Sequence, residues 1–170
     1  MRSGPISNGS GKMVDATFED GAERPVHVSA IDAEDLKIVS AMVQDAVFPM
    51  TEMRWERGAR RFALLLNRFR WEDRAAAERR GRPYERVQSL LIFEDVLHVA
   101  SQGIDRTETD TVLSLLSLEF EPGEDGAGRL HLVLAGDGAI ALDVECINAT
   151  LRDVTRPYIA PSGHVPDHGA

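Results

Sequence analysis

One run of helical periodicity gives way at Pro49 to a long stretch in which apolar residues recur at every second position, and this change of period constrains the fold most. Before it, Ile31-Asp32-Ala33-Glu34-Asp35 opens a helix. Asp32 suits the N-cap, and the acids after it suit the positive end of the helix dipole. Leu36, Val39, Val43, Ala46 and Val47 return at three- and four-residue spacing, so the predicted helix lays one apolar stripe on a core. Pro49 stops it by pushing the preceding residue out of the helical region. A short alternating strand, with Val26 and Val28, precedes it.

After Pro49 the period is two. Met53 and Trp55 alternate, Arg57-Gly58-Ala59-Arg60 makes a turn, and a strand is predicted from Arg61 to about Trp71. Ala63, Leu65, Phe69 and Trp71 fall on one face of it and Phe62, Leu64 and Leu66 on the other. The segment WEDRAAAERRGRP reads as a short exposed helix or a long loop. RVQSLLIF and VLHVAS, joined through Glu94-Asp95, read as a hairpin. The polar run QGIDRTETD is a loop, and VLSLLSLEF and RLHLVLA are strands joined by EPGEDGAG, whose glycines permit turns. Gly136-Asp137-Gly138 then turns the chain into AIALDVEC. INATLRDV fits a helix through the spacing of Ile147, Leu151 and Val154, and a strand through its β-branched content; both readings stay open. The expected architecture is α+β, a curved antiparallel sheet or open barrel of about seven to eight strands with one main helix packed on it.

Residues 23–158 form a single domain on this reading. Residues 1–22, rich in Gly, Ser, Asn and Asp, are expected to be a flexible lead, with Met13 a candidate natural start and 1–12 a cloning remnant. Residues 159–170 are expected to be a loose tail. The chain of 170 residues, 43% hydrophobic, has enough apolar material for a core without staples. Its one cysteine, Cys146, excludes an intramolecular disulfide and a multi-thiolate metal site, and by alternation it belongs to the core. No stretch approaches the roughly 18 apolar residues of a membrane span, and the N-terminus lacks an apolar leader, so the cytoplasm is the expected compartment. A net charge of −9 opposes coating of nucleic acid or an anionic membrane by the whole surface.

That charge is unevenly spread. Thr51 to Arg86 carries eleven Arg and six acids, a balance of +5 against −14 for the rest. Arg54, Arg57, Arg60, Arg61, Arg68 and Arg70 sit on one predicted hairpin with Trp55, Phe62, Phe69 and Trp71 between them. Alternation places the aromatics inward and most of the arginines outward, as a solvated face or a contact surface for an acidic protein partner. The leading expectation is a non-enzymatic binding or adaptor module that uses this hairpin and the sheet edge. On it, replacing Arg68 and Arg70 leaves folding intact and removes capture of the partner. A rival is an enzyme or small-ligand binder using the interior of the sheet, if Gln44, Asp45, Asn67, Arg68, Arg152 and Asp153 converge there as a polar network. A third, less favoured reading has the hairpin's arginines and aromatics grip nucleic acid.

Other chemistry is thin. The acids Glu119, Glu121, Glu124 and Asp125 surround a Pro122-Gly123 turn and lack a calcium-loop pattern. His27, His98 and His131 lie on separate predicted strands, and His164 and His168 in the tail. No metal site, cofactor or catalytic residue is expected. Phosphate-loop, dinucleotide, nucleophile-elbow and zinc-protease motifs are all missing.

The phrases DAEDLKIVSAMVQDAVF, RRFALLLNRFRWE, QGIDRTETDTVLSLLSLEFEPG and AGDGAIALDVECINATLRDV resemble an uncharacterised family of small alphaproteobacterial proteins, catalogued as a domain of unknown function. The resemblance covers about residues 26–158. It implies a free-standing bacterial protein of one domain, and carries no activity, cofactor or site residue with it.

Overall fold

The computed structural model describes residues 24–159 and 166. The predicted lead (1–22) lies outside these residues, as does all of the predicted tail except Ile159 and Pro166. In chain order the elements are β1 (His27–Ala30), α1 (Ala33–Met42), β2 (Ala46–Pro49), β3 (Met53–Glu56), β4 (Arg61–Phe69), α2 (Arg74–Arg80), β5 (Glu85–Phe93), β6 (Val96–Gln102), β7 (Val112–Pro122), β8 (Gly128–Leu134), β9 (Ala139–Val144), β10 (Ala149–Asp153) and β11 (Tyr158–Ile159). Single 3-10 turns occupy 50–52, 57–59 and 71–73. The strands form one antiparallel sheet, ordered β1-β10-β5-β4-β2-β7-β8-β9-β6, with β3 on β4 and β11 on β5. The sheet curves without closing, and the α+β expectation holds in outline, with eleven strands among the described residues where about seven to eight were predicted.

Asp32 caps α1 as expected, its carboxylate accepting the Asp35 amide at 2.8 Å. Leu36 and Val39 bury the helix's inner face against β1 and β7, strands far apart in the sheet order. The predicted reach of the helix to Val47 is corrected. It ends at Met42; Asp45 turns the chain with φ 64°, and Ala46–Pro49 pairs with β7. Ala46 and Phe48 are then fully buried. Ala46 and Val47 satisfy either period, and the ladder with β7, from far along the chain, decides between them.

A second correction concerns β5 and β6, which do not pair. β5 lies between β10 and β4, while β6 sits at the far edge beside β9. Glu94-Asp95 is therefore a corner, not a hairpin turn. Asp95 takes φ 58°, the Glu94 amide donates to Asn148, the Val96 amide to Arg60, and the Glu145 amide to the Asp95 carbonyl. The corner carries the chain from one side of the curved sheet to the other. Between the two sides lies a core in which Leu64, Leu66, Leu91 and Phe93 share one cluster with Leu130, Leu132, Ile140 and Leu142. The open question at 147–154 resolves to strand, since β10 is held between β1 and β5. Residues 74–80 are the short helix α2, ended by Gly81 in the left-handed region. No helix among the described residues is long and apolar enough to cross a membrane.

Candidate functional site

Strand β4 divides the six hairpin arginines. Its inward positions run Phe62, Leu64, Leu66 and then Arg68, all buried. Arg68 is fully buried and pairs with Glu72 through two 2.9 Å bonds, with Asp153 at 3.0 Å, and with Ser89 Oγ at 2.9 Å. Burial alone would lower its pKa; the two carboxylates outweigh that and hold it above the ordinary arginine value. Asp153 Oδ2 also takes the Val26 amide at 2.8 Å, which ties the start of β1 to the end of β10. Arg70 is 3% exposed, with Nη1 2.5 Å from Glu85 and 3.6 Å from Asp73. Asp73 in turn accepts two 2.7 Å bonds from Arg82.

The placement of Arg68 and Arg70 on an outward contact face is therefore corrected. They hold the junction of β4, α2, β5 and β10 together, and replacing them would strand buried carboxylates and not test a surface. The signal was in the sequence: Arg68 keeps the parity of Phe62, Leu64 and Leu66. Its partners Ser89 and Asp153 arrive on β5 and β10, which parity on one strand does not reveal.

The predicted polar network is only partly assembled. Asp153 joins Arg68, as described. Asn67, on the opposite face of β4, bonds the Tyr158 hydroxyl and accepts from Arg86 at 3.2 Å. Arg86 is half-buried and its pKa is lowered by desolvation, with Tyr158 and Asp45 acting in the other direction. Gln44 contributes its backbone carbonyl to Trp71 Nε1 at 3.0 Å. Arg152 is exposed, opposite His27 in the β1–β10 register, and takes no place in the network. Among the described residues these side chains do not share one network, and the space between the two sides of the sheet holds the apolar cluster.

The other four arginines do reach the surface. Arg60 pairs with Glu145, and Arg61 pairs with Glu94 at 3.0 Å and with Glu56 at 3.7 Å. Arg54 and Arg57 have no ion-pair partner among the described residues. Arg57 helps line a cleft of about 440 Å³, together with Met50, Met53, Trp55, Phe62, Val99, Thr51, Thr109 and Arg106. The cleft lies between the β3–β4 hairpin and edge strand β6. Among the described residues its charged lining residues are Arg57 and Arg106, and Arg106 likewise has no ion-pair partner among them. A second hollow shares Trp55, Arg57 and Val99 and continues along β6 over Leu97 and His98. Sequence reading found Trp55 and Arg57 but missed Val99 and Arg106, which only the corner and the β6–β7 loop bring near them.

The remaining candidates stay apart. Cys146, expected in the core, is corrected to an exposed position beyond the end of β9. Partial desolvation and then Asp95 push its thiol pKa up, away from a reactive thiolate. His27, His98 and His131 lie on three different strands, and His131 meets Glu121 at 3.2 Å. No cluster of three or more His, Cys, Asp or Glu side chains suited to a metal is found among the described residues.

Fold and cleft together define an α+β protein with an open curved sheet and a cleft between the β3–β4 hairpin and β6. The chain belongs to the family of proteins of unknown function DUF2948, whose family model matches residues 26–168. A search of the curated proteins and of the solved structures finds no match.

Proposed function

We propose that this protein is a non-enzymatic binding module that holds a partner protein at the seam between the β3–β4 hairpin and β6. The observation behind this reading is that Met50, Met53, Trp55, Phe62 and Val99 wall the seam cleft beside Arg57 and Arg106, two arginines without ion-pair partners among the described residues. Such a surface suits a segment that inserts one apolar side chain and places carboxylates at the rim. Burial of Arg68 and Arg70, and the pairing of Arg60 and Arg61, leave too few of the hairpin's cations to track a nucleic-acid backbone. The apolar packing of the interior weighs against a metabolite site there. The cytoplasm is the compartment we propose for the pair.

The test is affinity capture from a native extract with wild type beside an Arg57→Glu, Arg106→Glu double variant, both checked by circular dichroism. The expected result is an unchanged fold and loss of a partner retained by wild type. Equal capture by both proteins, or no capture by either, overturns the proposal.

A further inference from the structure

We infer that the partner enters the seam as an extended acidic segment that adds a strand to the free side of β6. This rests on the reading of the seam as a binding site and names how the partner sits in it. Among the described residues β6 is the last strand of the sheet and pairs with β9 alone. An edge strand carries a row of unpaired backbone donors and acceptors that another chain can complete.

The register identifies those groups. The Leu134 amide donates to the Gly138 carbonyl across the β8–β9 turn, so even-numbered residues of β9 aim their backbone at β8 and odd-numbered ones at β6. The Glu145 amide, donating to Asp95, obeys the same parity. His98, Ala100 and Gln102 stand opposite Asp143, Ala141 and Ala139 and therefore hold the ladder. The amides and carbonyls of Val99 and Ser101 face away from it. Among the described residues they make no backbone hydrogen bond outside the sheet. Nearer the corner this side is already occupied, since the Val96 amide donates to Arg60. The open part of the edge begins where the cleft begins.

Side-chain parity completes the match. Val99 points into the cleft. Alternate residues of an added strand, about 4.8 Å away, therefore face the same side as Val99, and one of them drops between Met53, Trp55 and Phe62. Arg57 and Arg106, the charged residues of the lining, then meet acidic residues next to that apolar anchor. A second copy of this chain fits less well, because its own β6, from Val96 to Gln102, carries no acid.

The experiment selects a random 12-residue peptide display library on the full chain, with the Arg57→Glu, Arg106→Glu protein as counter-target. Enriched peptides are synthesised and titrated, both unmodified and with alternate backbone amides N-methylated. They are titrated against wild type and against Ser101→Pro, a change that an outward-facing edge position tolerates. The expected result is enrichment of an apolar residue flanked by acids, with affinity falling on the order of tenfold or more for Ser101→Pro and for one N-methylation phase. The N-methylated peptides test pairing on wild type, so the result stands even if Ser101→Pro misfolds. Peptides that lose binding to the arginine variant yet ignore both N-methylation and Ser101→Pro overturn strand addition and leave the binding reading intact. No enrichment over the counter-target removes both. A dimer in sedimentation that Ser101→Pro dissociates would show that the edge is taken by a second copy, and would also overturn the inference.

Discussion

Arg68 shows how a charge can serve as core. It continues the buried side of β4 after three apolar residues, and it is tolerated there because Glu72, Asp153 and Ser89 satisfy its guanidinium from three directions. The two carboxylates are not equivalent. Asp153 is 2% exposed and also holds the Val26 amide, whereas Glu72 is 21% exposed and water can replace it. Asp153→Ala is expected to cost about 3–5 kcal/mol, the cost of leaving a buried charge with a lost partner. Glu72→Ala should cost about 1 kcal/mol. Urea denaturation of both variants checks the order, and equal losses would refute this account of the junction. The parity that buries Arg68 was legible in the sequence. The partner that makes burial tolerable was not, because Asp153 lies 85 residues further on and is brought there by pairing between β10 and β5.

Elements were legible wherever local signals agreed. The β7–β8 and β8–β9 hairpins fall where glycine turns separate alternating runs, and both ladders are in the structure. Gly128 shows why a particular residue is needed at the first of them. A Cβ there would lie 2.4 Å from the Glu121 carbonyl oxygen and 2.6 Å from the Phe120 ring. Backbone cannot yield as a flexible side chain does, so Gly128→Ala is expected to destabilise the protein by about 1–3 kcal/mol, read as a lower urea midpoint with unchanged slope. An unchanged midpoint would mean that the hairpin shifts freely. Signals that compete with distant pairing were misleading. Ala46 and Val47 extend the helical stripe but belong to β2, and Glu94-Asp95 has the length of a hairpin turn but makes a corner. In both places the deciding hydrogen bonds come from residues far along the chain.

For the molecule as a whole, the corner at Glu94-Asp95 matters most, because it joins the two sides of the sheet and also sets the position of β6 beside the hairpin. Asn148, Arg60 and Glu145 all meet it through backbone hydrogen bonds. The seam cleft therefore depends on the same contacts that hold the core, and Phe62 belongs to both. A site built in this way should be preformed and should not open ahead of the fold. The two tryptophans test this, since Trp55 lines the seam while Trp71 stacks edge-on with Phe69, 4.6 Å between centroids, beside the Arg68 junction. In Trp71→Phe the remaining fluorescence reports on the seam, and in Trp55→Phe it reports on the junction. Each variant should unfold in urea with a fluorescence midpoint equal to its own far-UV circular dichroism midpoint, as a single cooperative unit requires. If Trp55 fluorescence changes at lower urea than the far-UV signal, the seam opens as a separate local unit. A partner would then have to order the cleft as it binds, and part of its affinity would be spent on that ordering.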